Sequence, residues 1–233
     1  YTVVTLLPGV VRHSSFATDR SSSTPHFTRH MRYPTLRPSL LVALAAVRDA
    51  SRAARTLQQT GVVSYAKPDA AGDGHPGGVS PVTHADFTVQ ALVLGRLAAA
   101  FPEDRFIAEE VAADLIAAGD ATKAAVVAAT REHGVKAFGS DMTESEVLAA
   151  IDLGSTGIAD GWSRTRRTWV LDPIDGTKGF MRGDQFVIAL SLLDGGQPVL
   201  GVLGCPTLGD DGSLFHAAKG QGAFCSPTHG TAA

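Results

Sequence analysis

This sequence of 233 residues has few cysteines, a small net charge and few long apolar runs. Its two cysteines, Cys205 and Cys225, form no C-x-x-C pair. This excludes a disulfide framework and favours a reducing compartment, and we expect both side chains to be buried as small apolar groups. The net charge of −3 lacks the basic excess of proteins that bind nucleic acid or membrane surfaces, so neither partner is predicted. The apolar run at residues 40–47 is far shorter than the roughly 20 residues that cross a bilayer.

The first 38 residues contain very few acidic side chains: Asp19 is the only one, beside five arginines and many serines and threonines. This composition resembles an organellar transit segment, and the alternative is untranslated or mis-joined sequence upstream of a start at Met31. We therefore predict a leader or unstructured segment over 1–38, a folded domain over 39–225 and a tail over 226–233. The protein is expected to be intracellular, either cytoplasmic or, if the leader is a transit segment, mitochondrial or plastid.

The rest of the chain predicts helices first and strands afterwards. Apolar residues recur at helical spacing from Ser39 until Gly61, and capping-box patterns at Thr83 and Thr143 indicate two further helix starts. A short strand is predicted at 104–110. Turn signals separate four later apolar runs, which predict an antiparallel meander: 168–171, 186–193, 198–205 and 213–218. This order of elements indicates an α+β fold.

The stretch VLDPIDGTKGF, residues 170–180, contains two closely spaced carboxylates. A strand is expected to stop at Leu171, because Pro173 disfavours regular continuation. The turn can then bring Asp175 beside Asp172, with the carbonyl of Ile174 between them. Carboxylate and carbonyl oxygens are hard ligands of the kind that Mg²⁺ takes. Asp-Pro and Asp-Gly are also ordinary turn formers, so a simple turn is the alternative.

Phosphate-binding chemistry follows directly in the sequence. Gly176 allows close backbone approach, and a helix that begins at Thr177 would direct backbone N–H groups towards an anion. The earlier glycines of a Walker A loop are missing, so a nucleoside triphosphatase is not indicated. Glu109 and Glu110 form a second acidic position and Asp86 a third. Taken alone, the first two are typical of a solvated pair and Asp86 of a helix cap.

Read together, residues 80–86, 101–110 and 169–206 resemble the inositol monophosphatase superfamily of Mg²⁺-dependent, lithium-sensitive phosphatases. The resemblance covers roughly residues 35–225. Lys178-Gly179-Phe180 after the D-G-T triplet favours the 3′(2′),5′-bisphosphate nucleotidases, which act in sulfur metabolism, over inositol phosphatases, which are the alternative. The resemblance implies a layered αβαβα sandwich, of which this chain supplies mainly the N-terminal helix-plus-antiparallel-sheet domain. It also implies hydrolysis of adenosine 3′,5′-bisphosphate, and in some members of the sulfate donor PAPS, at the 3′-phosphate; the bisphosphate gives AMP and phosphate.

The resemblance also implies roles for individual residues. Two or three Mg²⁺ ions would be bound by four groups: Glu109, Asp172, the Ile174 carbonyl and Asp175. The attacking water would be activated by the catalytic residue Thr177 together with Asp86 or Glu109. The phosphate of the substrate would be bound by three consecutive residues: Gly176, Thr177 and Lys178.

Two features depart from the family pattern. Ala108 stands where relatives have glycine before the glutamate pair, and we expect its methyl group to crowd the site slightly. A Trp-Asp-x-x-Ala motif, whose aspartate binds a further metal ion in the family, is missing, as is the C-terminal domain that carries it. We therefore interpret the chain as a fragment, a truncated gene model or a degenerate copy. The 233 residues alone are expected to be inactive, and a non-catalytic remnant of the fold is the alternative function.

Overall fold

The computed structural model describes residues 36–68, 79–138, 142–159 and 166–228, all within one unit that spans Tyr33–Ala233. The predicted leader therefore lies almost entirely outside the described residues; its last three residues begin the first helix. The predicted tail is described up to Thr228, and its first two residues belong to the last strand. Within the described ranges, no helix combines the length and the apolar character needed to cross a membrane.

Seven α-helices are described, and the two predicted capping boxes are confirmed. At the first box, the backbone N–H of Thr83 donates to Asp86 at 2.8 Å, and at the second that of Thr143 donates to Glu146 at 2.7 Å. Gly61 follows the first helix with φ +123°, as its predicted stop. A 3₁₀ turn at Leu153–Ser155 joins the fifth helix to the sixth. The bounds are α1 Leu36–Thr60, α2 His84–Ala100, α3 Ala112–Ala117, α4 Asp120–Phe138, α5 Glu144–Asp152, α6 Thr156–Ala159 and α7 Thr177–Met181.

Among the residues that the structure describes, eight strands form two sheets. The first pair is an antiparallel hairpin, and the other six form one sheet in chain order. Within that sheet β3 and β4 run parallel, and the remaining neighbours form the predicted antiparallel meander. The bounds are β1 Ser64–Pro68, β2 Val79–Thr83, β3 Arg105–Ala108, β4 Thr168–Asp175, β5 Val187–Asp194, β6 Gln197–Cys205, β7 Ser213–Ala218 and β8 Gly222–Pro227.

Helices α1 and α2 cover one face of the large sheet, and the main core lies between these helices and strands β4, β5 and β6. Small residues on α1 let it approach β6 closely, and a Cβ on Gly204 would come within 2.7 Å of Val47 Cγ1. A second apolar cluster packs α2 against α3, α4 and α5 around Phe87 and Leu115. This layering of helices on a sheet confirms the predicted α+β class.

The expected burial of both cysteines is wrong for one of them. Cys205 is half-buried in β6, whereas Cys225 is exposed, and both are free thiols. Cys225 lies on β8, one of the two edge strands of the sheet as far as the chain is described, and most side chains of β8 face solvent. A strand with a neighbour on one side alone buries less of its surface, so an apolar composition there does not imply burial.

Candidate active site

Strand β4 runs further than the sequence predicts. The strand does not stop at Leu171 but continues through Pro173 to Asp175. Its register with β5 shifts on the way: Asp172 lies opposite Ala189 and Asp175 opposite Val187. This β-bulge explains how the strand accommodates a proline, because a bulge leaves a residue out of the regular ladder. The two aspartates thus end the strand on either side of an irregular step.

The turn after β4 has the predicted form. Gly176 adopts the left-handed conformation with φ +92°, and α7 begins at Thr177. The Thr177 hydroxyl donates to the Ile174 carbonyl at 3.0 Å, which folds the turn back on the end of the strand. A carbonyl oxygen has two lone pairs, so Ile174 keeps one for a further ligand. Lys178 is exposed on the first turn of α7.

Helix α1 fixes the far side of this turn. The Gln58 side-chain amide donates to the carbonyls of Phe180 at 3.1 Å and Asp184 at 3.0 Å. Gly179 passes so close to the next segment that a Cβ there would lie 2.7 Å from the Gln185 carbonyl oxygen. The segment with the D-G-T triplet is therefore held by a helix, a strand and a close backbone contact.

The glutamate pair lies beside the aspartates because β3 runs parallel to β4. Ala108, the last residue of β3, is paired with Leu171. At this edge of the sheet β3 ends level with Leu171, so Glu109, directly after β3, lies beside Asp172 on the continuing strand β4. Glu109 is exposed, whereas Glu110 is 1% exposed.

Asp86 caps helix α2. Its Oδ2 atom accepts hydrogen bonds from the backbone N–H of Thr83 at 2.8 Å and from the Thr83 hydroxyl at 2.6 Å. Burial raises the pKa of Asp86 to about 8, and the charges of Glu110 and Glu109 also raise it, against the two bonds from Thr83. The alternative role expected from the sequence, helix capping, is thus observed, and the same carboxyl group also lies within electrostatic reach of the glutamate pair.

The neighbouring carboxylates at this edge raise the affinity of Asp172 for a proton. Burial raises the pKa of Asp172 to about 7, and the negative charges of Glu109 and Asp175 raise it further. Like charges that are brought together in this way favour protonation unless a cation balances them. The structure thus brings Glu109, Asp172 and Asp175 together, and Asp86 lies within electrostatic reach of Glu109 and Glu110.

The donor set fits a divalent cation in its chemistry. The groups are carboxylates and one carbonyl, the hard oxygen ligands that Mg²⁺ prefers. The negative charges of the carboxylates repel one another unless a cation balances them. Within the described ranges, no three side chains of His, Cys, Asp or Glu converge tightly enough to form a closed metal site. The candidate ligands therefore share one edge of the sheet without surrounding a single point.

The sequence from residue 39 to residue 230 matches the inositol monophosphatase family. The chain belongs to this family. Two solved structures have a similar fold. IMPase TM1415 from Thermotoga maritima has a TM-score of 0.50 and 21% identity, and the match covers 80% of this chain and 50% of that one. An IMPase/NADP phosphatase complexed with NADP and Ca²⁺ has a TM-score of 0.51 and 19% identity, and the match covers 82% of this chain and 52% of that one. The fold is the layered α/β sandwich expected from the resemblance.

Curated relatives carry the name 3′(2′),5′-bisphosphate nucleotidase. That of Schizosaccharomyces pombe is 37% identical over 164 residues, 64% of this chain and 45% of the relative. Nucleotidase 1 of Candida albicans is 37% identical over 163 residues, 63% and 44%. Nucleotidase 1 of Arabidopsis thaliana is 39% identical over 169 residues, 62% and 46%. The chain thus spans about half the length of the curated relatives it matches.

Gln90 is a residue that the sequence did not single out, and its side chain binds the backbone of Glu110. The Gln90 side chain is fully buried in α2. Its Nε2 donates to the Glu110 carbonyl at 2.6 Å and to the Ile151 carbonyl at 2.8 Å, and its Oε1 accepts from the Glu110 N–H at 3.0 Å. A lone amide in an otherwise apolar stretch of helix was the available signal, since buried amides need partners.

Tyr65 is a second residue that the sequence did not single out. Its ring stacks on Phe87 at 6.0 Å, and its hydroxyl is buried without a hydrogen-bond partner among the described residues. Burial raises the pKa of Tyr65, and the charges of Glu110, Asp114 and Asp86 add to the effect. The phenol is therefore a neutral group within electrostatic reach of these three carboxyl groups.

Proposed function

We propose that the protein containing this chain is a Mg²⁺-dependent 3′(2′),5′-bisphosphate nucleotidase. It hydrolyses the 3′-phosphate of adenosine 3′,5′-bisphosphate, and that of PAPS, with AMP and phosphate as products of the former. Support comes from relatives of that name at 36–39% identity. The observation that carries the proposal is the parallel pairing of β3 with β4, which brings three carboxylates beside the D-G-T turn.

The proposed cation ligands are Glu109, Asp172, Asp175 and the Ile174 carbonyl, for two or three Mg²⁺ ions. When bound, Mg²⁺ lowers the pKa of a coordinated water and offsets negative charge on the phosphate. The pKa of Asp172 is raised by burial and by the nearby charges of Glu109 and Asp175, so a cation beside these carboxylates is favoured.

Asp86 and Thr177 are the proposed catalytic residues. The Thr177 hydroxyl proton is directed at Ile174, so its oxygen lone pairs can accept a hydrogen bond from the attacking water and orient it. Asp86 accepts both Thr83 bonds through Oδ2, so its Oδ1 can take the proton of that water when the carboxyl group is ionised, a form that a nearby cation favours. The N–H groups of Gly176 and Thr177, together with the Lys178 ammonium, would bind the phosphate.

Phosphate release from adenosine 3′,5′-bisphosphate with Mg²⁺ tests this function in the protein that contains the chain. Asp175→Asn is expected to lower the rate at least ~100-fold, because removing one group that stabilises developing charge typically has that effect. Equal turnover by the variant would refute the assignment. Inositol 1-phosphate is the comparison substrate, and a faster rate on it would show an inositol phosphatase instead. No release from either substrate would favour the non-catalytic remnant.

The cellular compartment of the protein stays a prediction. The arginine- and serine-rich composition of residues 1–38 supports an organelle, and a cytoplasmic protein is the alternative. Microscopy of a fluorescent fusion, with and without these residues, separates the two.

A further inference from the structure

A concave surface lies between α1 and the turn that joins β6 to β7. Its volume is about 310 Å³, and it is lined by five residues: Arg52, Arg55, Thr56, Gln59 and Asp210. Four of them come from α1 at spacings of three and four residues, which places them on one face of the helix. The candidate active-site residues, all of which are described, do not line it.

The Arg55 guanidinium is held in place by the turn. Its Nη1 donates to the Pro206 carbonyl at 3.0 Å and to the Asp210 carbonyl at 3.4 Å. Both bonds use the same nitrogen, and a guanidinium has five N–H donors on three nitrogens. Nε and Nη2 are therefore available on a fork whose position is already fixed, which reduces the entropy that a ligand must overcome.

Arg52 keeps an excess of positive charge. Its Nη1 lies 3.6 Å from Asp49, but Asp49 is bound more closely by Arg96. One carboxylate thus serves two guanidinium groups. The Arg52 side chain is 47% exposed and reaches the pocket.

The pocket therefore combines two guanidinium groups with one carboxylate, that of Asp210. The Gln59 amide adds further donors, while the Thr56 hydroxyl is directed at the Arg52 carbonyl at 3.0 Å. A carboxylate ligand has two oxygens and satisfies one guanidinium fork. A tetrahedral oxyanion has enough oxygens for two forks and the larger charge to match them.

We propose that this pocket binds a phosphate-type oxyanion, either inorganic phosphate or a phosphate group of a nucleotide. Strand register places it at the same edge of the sheet as the candidate active site. Asp175 lies opposite Val187 and Gly204 opposite Ile188, so the ends of β4 and β6 are two strand spacings apart, about 10 Å. The anion site is distinct from the D-G-T turn and does not depend on the proposed hydrolysis.

Titration calorimetry with inorganic phosphate tests the proposal on the 233-residue protein in EDTA, where divalent cations cannot recruit phosphate to the acidic cluster. We expect saturable binding that Arg52→Gln weakens about tenfold, as for the loss of a charged hydrogen bond. Arg37→Gln is the matched control: it removes the same charge from an exposed position on the same helix, 15 residues away. Circular dichroism verifies that both variants are folded.

Two ligand arms distinguish the sources of the phosphate. AMP that binds as tightly as inorganic phosphate indicates a site for the phosphate group alone, and AMP that binds more tightly indicates a nucleotide site. Asp175→Asn should bind phosphate like the unmodified protein, which separates this site from the candidate active site. Absence of saturable binding, equal affinity in Arg52→Gln and Arg37→Gln, or adenosine binding as well as AMP would each overturn the proposal.

Discussion

The methyl group of Ala108 packs against Gly154, where an added Cβ would come within 2.9 Å of Ala108 Cβ. Gly154 lies in the 3₁₀ turn after α5, and Ala108 ends β3 directly before Glu109. The methyl group expected to crowd the site is thus accommodated by a glycine in the facing turn. The pair acts as a small-residue contact that sets the position of the glutamate pair.

Exchanging the two side chains tests this contact. Gly154→Ala is expected to lower the free energy of unfolding by about 1–3 kcal/mol, because overpacking a close contact forces backbone shifts. Adding Ala108→Gly should recover only part of the loss, because a Cβ at position 154 would still lie 3.0 Å from Gln90 Nε2. Urea unfolding of both single variants and the double variant measures the coupling. Strictly additive losses would show that the two residues do not share the space.

Gln90 is expected to support cation binding from a distance. Gln90→Leu leaves the Glu110 N–H and the carbonyls of Glu110 and Ile151 without their partner, which should cost at least about 2 kcal/mol of stability. A loosened Glu110 backbone should also weaken Mg²⁺ affinity about tenfold or more, as for other groups that orient ligands.

Calorimetric titration with Mg²⁺ measures that affinity directly. Thr88→Val is the control: Thr88 is fully buried on the same helix, but its hydroxyl donates within the helix to the His84 carbonyl. Its Mg²⁺ affinity should not change. Unaltered affinity in a folded Gln90→Leu protein would assign Gln90 a purely structural role.

The features that sequence predicted well depend on neighbouring residues. The capping boxes at Thr83 and Thr143 and the turn at Gly176 each depend on residues within four positions, so their patterns are readable directly. Strand β8 was missed because its side chains are mostly exposed and show no alternation of apolar and polar residues. The continuation of β4 through Pro173 was missed because a bulge depends on the partner strand.

The candidate site divides in the same way. Asp172 and Asp175 are close in the chain, and their proximity follows from one turn. The Gln90 side chain bonds to residues 20 and 61 positions away, and no local pattern encodes such contacts. The family resemblance supplied the order of Asp86, Glu109 and Asp172, whereas their support required the packed structure.

Two buried serines on α1 should respond oppositely to removal of the hydroxyl. Ser51 is fully buried, and its Oγ has no hydrogen-bond partner among the described residues. Ser51→Ala removes this unsatisfied group and should raise the free energy of unfolding by about 1 kcal/mol. Ser39 is equally buried but accepts from Arg167 Nη2 at 2.8 Å, so Ser39→Ala should destabilise by about as much. Thermal unfolding compares the two, and a loss of stability in Ser51→Ala would contradict the assignment.

His84 should make the fold sensitive to acid. The Val63 N–H donates to its Nδ1 at 3.1 Å, and burial lowers the pKa of His84 below 6.5. The unfolded chain then binds this proton more readily, so stability is lost as pH falls from about 7 through the lowered pKa. In His84→Asn, where an amide oxygen can accept the Val63 bond, the loss of stability between pH 7 and pH 5 should be smaller than in the unmodified protein. Carboxylates titrate in both proteins and largely cancel, so equal pH slopes would contradict the role of His84.

Asp172 should destabilise the protein when no cation is present. Its pKa is raised to about 7 by burial and then by Glu109 and Asp175, so the folded state loses stability as pH rises from about 4 through 7. At pH 8.5 in EDTA, Asp172→Asn should therefore raise the free energy of unfolding by about 1–3 kcal/mol. Mg²⁺ should stabilise the unmodified protein and have little effect on the variant, because binding to the folded state adds stability that grows with the logarithm of ligand concentration over Kd. Asp184→Asn, which alters an exposed carboxylate near the same turn, should change stability by less than about 0.5 kcal/mol in either condition.

Two results would contradict this prediction. If Asp172→Asn is less stable than the unmodified protein in EDTA, the protein itself compensates the Asp172 charge. If Asp172→Asn responds to Mg²⁺ as the unmodified protein does, Asp172 is excluded as a ligand.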